Sequence, residues 1–387
     1  MRLTRDIAAV LVVYGAACTN PAQTVVPVRT SLEASSAGRY QIIDLGTSDF
    51  YSAQAFDVNS SGQVVGDVIT LSGAIHPFLW ENGALRDLGI PGAIGTRAIN
   101  DNGQIIGDAY VAGAYRAWLW QDGVETDIGN LGGGYQTVIA INNAGQVVGQ
   151  SRTSSGQTHV YFWSNGIMQD LGTLGGAHSF AGGMNNRGQV VGSAGLPDGS
   201  YHAFLWESGT MRDLGSFGGF TQALAINDAG YVVGTSADSA GHDHGFFWDG
   251  TMHDIGPLGS QGRVSDINNR GQAIGSSGAG AFLWRDGAST PIGGLGGGWT
   301  FVSEINSAGA VAGTSGTATG EHAYTWRDGT MYDLGTLGGR NSGALALNGA
   351  GFVVGFAEDT TVIDSHGNGR IHAVLWRPTD AVAVAAN

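Results

Sequence analysis

Apolar residues fall in short runs broken by glycine and asparagine, and the same runs return at a nearly fixed interval. Asn59, Asn100, Asn142, Asn185, Asn227, Asn268, Asn306 and Asn348 open successive copies, spaced 41, 42, 43, 42, 41, 38 and 42 residues apart. A period near 40 marks supersecondary units too small to bury a core alone, which must stack on their neighbours. Each copy carries four strand signals. An apolar strand ends in Ile-Asn, as in Ala223–Asn227, and a turn such as Asn227-Asp228-Ala229-Gly230 follows. Asparagine can bond the backbone two residues on, and glycine takes the left-handed position. The second strand is the Gln-Val-Val-Gly type, as in Gln189–Gly192, and a variable loop leads to a third strand that ends in Trp. That tryptophan recurs at positions 80, 120, 163, 206, 248, 284, 326 and 376. Asn-Gly or Asp-Gly then signals a tight hairpin into a fourth strand ending in Asp-Leu/Ile-Gly.

Four short antiparallel strands per unit is the blade pattern of a β-propeller. The ends of the repeat sharpen this. It begins with a lone fourth strand, Tyr40–Gly46, and stops after a third strand, His372–Trp376. The N-terminal strand is therefore expected to complete the last blade. The sequence predicts an all-β fold, one eight-bladed propeller over 40–377. A β-solenoid is the alternative, disfavoured because the hairpin dipeptides make antiparallel strands.

Composition agrees, with 67 glycines among 387 residues and only 13% charged residues, which suits many buried strands joined by tight turns. The net charge is −15 and no lysine is present, a balance that repels phosphate backbones and excludes nucleic acid as a partner. The single cysteine, Cys18, rules out an intrachain disulfide framework. Residues 1–17 carry Arg2 and Arg5 ahead of an apolar run too short to span a bilayer, which reads as a signal peptide. Cys18 follows small residues, making it a lipidation candidate and the expected route to a membrane. Residues 18–39 read as a flexible tether and 378–387 as a disordered tail.

The repeated INxxGxVVG, HAFLW and DLGTLGG segments resemble the HAF-repeat family of probable bacterial extracellular repeat proteins. The tripeptide of that name stands at His202-Ala203-Phe204, with relatives at His76-Pro77-Phe78, His322-Ala323-Tyr324 and His372-Ala373-Val374. The resemblance implies export and a repeat fold. It transfers no catalytic residue.

Six histidines share one slot (His76, His159, His202, His244, His322 and His372), with an aspartate about eleven residues later in most units. Arg116 fills the slot in the second unit with Asp127 as its partner, and the unit with Gly280 in the slot has Thr290 where the acid would stand, so cation and acid are lost together. A cross-strand contact that locks each blade explains this repetition better than eight catalytic sites. A calcium loop at Asp364–Gly369 lacks the acid at its twelfth position. No metal or cofactor site is expected.

Differences between copies carry the functional candidates. Tyr51, Tyr135, His178, Phe220, Trp299 and Arg340 follow the glycine-rich connectors and form a candidate binding ring for a glycan or protein ligand. Asp57, Asp266 and Glu304 replace the small residue before Ile/Val-Asn and are candidate channel acids. The sequence points to an exported, monomeric, non-catalytic binding or interaction module at the cell surface or outside the cell. A secreted polysaccharide-active enzyme on a propeller scaffold and a structural envelope component are the competing readings. Three acids converging in the channel would favour the enzyme.

Overall fold

The computed structural model describes residues 26–27, 39–47, 50–257, 262–362 and 369–379. Residues 1–17 read as a signal peptide, Cys18, most of the stretch read as a tether, positions 363–368 with most of the calcium-loop candidate, and positions 380–387 lie outside the described residues. Val26–Pro27, within the tether, pairs antiparallel with Ala84–Leu85.

The described strands form a β-propeller of four-stranded antiparallel units. Five units are separate sheets; three more, with Val26–Pro27, make up a thirteen-stranded sheet. In the fourth unit the strands are Ser179–Met184, Val190–Gly195, Tyr201–Glu207 and Thr210–Gly215. We number the units as blades 1 to 8 from Ser52 onward, with Ser179–Gly215 as blade 4. Blade 8 takes Gly338–Leu347, Val353–Val362 and Gly369–Pro378 from the end of the repeat, and its outer strand is Tyr40–Asp44. Its neighbour is blade 1: Ser52 bridges to Ile371, and Ala373 N–H donates to Thr47 Oγ1 (3.2 Å).

Turn chemistry follows the sequence. Asn82, Asp122, Asn165, Ser208, Asp286 and Asp328 all sit at φ near 50° ahead of a glycine, the geometry of a two-residue hairpin. The glycine that ends each Val-Val-Gly strand has a different cause. A Cβ on Gly192 would lie 2.0 Å from Phe180 O and 2.9 Å from Phe204 Cε1. Gly66, Gly149, Gly234, Gly313 and Gly355 meet the inner-strand carbonyl at 2.0–2.1 Å in the same way. The inner strand bulges beside this point, for example between Ala181 and Gly183, and the aromatic of the third strand packs over it. No side chain fits.

The core lies between blades. One cluster joins Val191, Ala203, Leu205 and Leu214 of blade 4 to Ala223, Ile226, Val232, Phe246 and Trp248 of blade 5. Burying each large side chain contributes about 1.5–3 kcal/mol, so neighbouring blades stabilise each other. The eight repeated tryptophans are all 9% exposed or less. Blades are also stitched by polar groups. Asp67 accepts from Thr96 N and Oγ1 of the next blade, and Asp108 accepts from Val138 N and Thr137 Oγ1 of the next blade as well as from Arg97 Nε of its own.

The histidine slot forms six contacts within blades. Nδ1 of His76, His159, His202, His244, His322 and His372 lies 2.8–2.9 Å from Asp87, Asp170, Asp213, Asp254, Asp333 and Asp44. Two assignments need correction. Arg116 pairs with Glu125, two residues before Asp127, because an arginine reaches farther along the outer strand than a histidine. In blade 6 the residue opposite Phe282 is Pro291, so Pro291 takes the aspartate position and Thr290 lies one residue out of register.

Candidate functional site

All inner strands run in the same direction, so the recurring asparagines meet at one end of the channel. Each donates from Nδ2 to the backbone oxygen of the next: Asn59 to Asn100, Asn100 to Asn142, and onward to Asn348, which donates to Asn59. These bonds measure 2.9–3.2 Å. The same side chain serves its own turn, as Asn185 Oδ1 accepts from Arg187 N and Gln189 N. The sequence showed the turn role. The bond to the next blade escaped it, although one asparagine per unit at a fixed register was the available signal.

A cavity of about 520 Å³ occupies this end of the channel, lined by the asparagines, the residues flanking them, Asp266 and Glu304. Its mouth carries Asp101, Asn143, Asn186, Asp228 and Asn269, each accepting an N–H from the preceding blade.

The three channel acids sit two residues before the asparagine in blades 1, 6 and 7. Asp57 spends Oδ1 on Val58 N and Oδ2 on Ile99 N of the next blade. Asp266 does the same with Ile267 N and Ile305 N. Glu304 gives Oε2 to Leu347 N at 2.7 Å, and its Oε1 has no hydrogen bond among the described residues. Burial pushes the Asp57 carboxyl up to about 6, against the Ile99 and Val58 N–H groups that pull it down. Burial likewise raises Asp266, opposed by its two N–H donors. Glu304 is raised well above the usual carboxylate range by burial and then by the charges of Asp266 and Asp57. The three acids therefore share one arc of the channel within electrostatic reach. Among the described residues no three His, Cys, Asp or Glu side chains are placed to hold a metal ion.

The candidate binding ring lies elsewhere. Tyr51 and Trp299 precede their inner strands, whereas Asp57 and Glu304 lie at the far ends of the same strands. Six residues of strand separate the faces by roughly 20 Å. Tyr51, Tyr135, Phe220 and Trp299 are exposed at 49%, 38%, 54% and 39%. His178 is different: its Nδ1 accepts from Thr158 N, so it packs between strands. Arg340 Nη2 donates to Thr319 O at 3.0 Å.

No family model matches the chain, and no curated protein matches it. Similar solved structures include the β-propeller domain of the Trilobed protease from Pyrococcus furiosus, at 14% identity and TM-score 0.48, covering 73% of this chain and 98% of that one. The Pyrococcus horikoshii acylaminoacyl peptidase has 16% identity and TM-score 0.49, with 76% of this chain and 54% of that one covered. A Mycobacterium tuberculosis puromycin-hydrolyzing peptidase has 10% identity and TM-score 0.46, with coverage of 92% and 54%. The chain thus spans about half the length of these two peptidases. What it shares with all three is the fold, and no residue role is carried over from them. The expectation of a non-catalytic binding module is corrected here: the propellers that the chain is similar to are mostly those of peptidases.

Proposed function

We propose that this protein is an exported enzyme acting on polysaccharide at the asparagine-lined end of its channel. The observation that carries the reading is Glu304. It is a carboxyl raised by burial and by two neighbouring acids, with one oxygen tied to Leu347 N and the other unbonded beside the cavity. Such a group holds its proton to higher pH than an ordinary carboxyl and can give it to the leaving oxygen while water takes that oxygen's place on the sugar carbon, the general-acid role in glycoside cleavage. Asp57 and Asp266 are each fixed by two N–H bonds, and Asp266, which lines the cavity with Glu304, would place its negative charge beside the positive charge that develops on a sugar ring. The amide and carboxylate rim offers hydrogen bonds to hydroxyl groups. Export follows from the leader-like residues 1–17 and from the HAF-repeat resemblance.

Release of reducing ends from a panel of neutral polysaccharides tests the reading, with Glu304→Gln alongside. A loss of about 10²-fold or more in the variant is expected for a general acid. No release by the parent protein, equal release by the variant, or cleavage confined to peptides would overturn it.

A further inference from the structure

We propose that Trp299, Phe301 and Arg340 form a sugar-stacking subsite at the start of the blade 7 inner strand, taking one neutral pyranose ring. The subsite rests on the polysaccharide reading and extends it to the face opposite the acids. Trp299 is held as a platform. Its backbone oxygen accepts from Gly316 N (3.1 Å) and Ser315 Oγ (3.1 Å). Its indole lies against the Gly316 backbone, where a Cβ would meet Nε1 at 2.8 Å and Cε2 at 3.1 Å. The ring is nonetheless 39% exposed, and Phe301 beside it is 41% exposed, with centroids 5.2 Å apart and planes inclined at 46°. An aromatic already immobilised loses little entropy when a ligand stacks on it.

Arg340 of blade 8 brings a donor to the turn that follows Gly316, the residue whose backbone the indole lies against. Its Nη2 bonds to Thr319 O of the blade 7 loop, its backbone N–H to Glu358 Oε2, and its guanidinium makes no ion pair among the described residues. A flat apolar ring at Gly316 and a fixed N–H donor three residues on at Thr319 suit a pyranose, which has an apolar face and equatorial hydroxyls. Two rings amid Gly296, Gly297 and Gly298 are too small for a stable protein interface, which buries about 800 Å² per partner. The net charge of −15 disfavours a polyanionic sugar. Glu304 lies on the same strand as Phe301, so a polymer held at Trp299 is held by the blade that carries the acid.

The test is calorimetric binding by the full chain carrying Glu304→Gln, titrated with a soluble β-glucan, an α-glucan, a galactomannan, a polyuronate and an unstructured peptide. Binding of a neutral polysaccharide is expected, weakened at least about tenfold by adding Trp299→Ala and largely retained with Trp299→Tyr. Equal affinity for the Trp299→Ala protein, or preference for the polyuronate or the peptide, would overturn the subsite. A thermal melt of each variant separates lost binding from lost folding, and Trp299→Tyr decides the matter if Trp299→Ala unfolds. Binding that depends on Trp299 without release of reducing ends by the parent protein would sink the enzyme reading and leave the subsite standing.

Discussion

His372 Nδ1 lies 2.9 Å from Asp44 Oδ2, across 328 residues of chain, while its Nε2 lies 3.2 Å from Asp359 Oδ2. His372 is 3% exposed, and its imidazole bridges the outer and second strands of blade 8. Burial alone lowers its pKa, but Asp44 and then Asp359 outweigh that and hold it above the usual value.

A pH dependence follows. A raised folded-state value means the contribution is complete below the unfolded value, about 6.5, and is lost as pH rises through the folded value. Above it the ring keeps one N–H, and one of the two carboxylates faces a lone pair. The melting temperature should fall as pH rises above about 6.5, and His372→Gln should flatten that fall. His76, raised by its bond to Asp87, leaves a residual slope. Identical alkaline profiles for the parent and the variant would refute the bridge.

Glu304→Gln should stabilise the protein while removing its activity. The amide oxygen can still accept from Leu347 N, and a buried acid beside Asp266 and Asp57 disappears. Because the Glu304 value is raised, its penalty grows as pH rises above the unfolded value. The gain should therefore be visible at pH 8 and absent at pH 4, as denaturant titrations at both values will report.

Asn185→Ala should cost about 3 kcal/mol, because it strips partners from Asn227 O, Gln189 Oε1 and the N–H groups of Arg187 and Gln189. Asn185→Asp should fare no better, since it keeps the two acceptors but turns an oxygen toward Asn227 O. Urea titration checks both, and a loss under about 0.5 kcal/mol would mean the inter-blade bond is dispensable.

Gly192→Ala should be among the most damaging single methyl additions, about 3 kcal/mol or more, because the blocking atom is backbone. Gly209→Ala, at φ 86° with nothing within 4 Å of the added Cβ, meets only the left-handed strain of about 1–2 kcal/mol. Comparing the two by chemical denaturation separates steric exclusion from backbone conformation.

Much of this was legible in the chain. The period set the unit, the Asn-Gly and Asp-Gly dipeptides set the hairpins, and the strand order at the two ends placed Tyr40–Asp44 beside Gly369–Pro378. Five of the six histidine–aspartate contacts were visible because both partners lie in one copy of the repeat, 10 or 11 residues apart, and the sixth, His372 with Asp44, followed from the strand order at the two ends. Local chemistry of this kind is carried by neighbours in sequence, so a repeat displays it again and again. Tertiary structure alone decided which atoms meet, both between units and in the register of strands within them. It gave Asn185 a second bond to Asn227 and excluded every side chain from Gly192. It sent Arg116 to Glu125 and put Pro291 where an acid was expected. It also separated two groups of candidates, placing Asp57, Asp266 and Glu304 at one end of the inner strands and Trp299 with Arg340 at the other. The reason is physical: charges act through the distance across the channel, and that distance is set by how blades pack, which no single unit encodes.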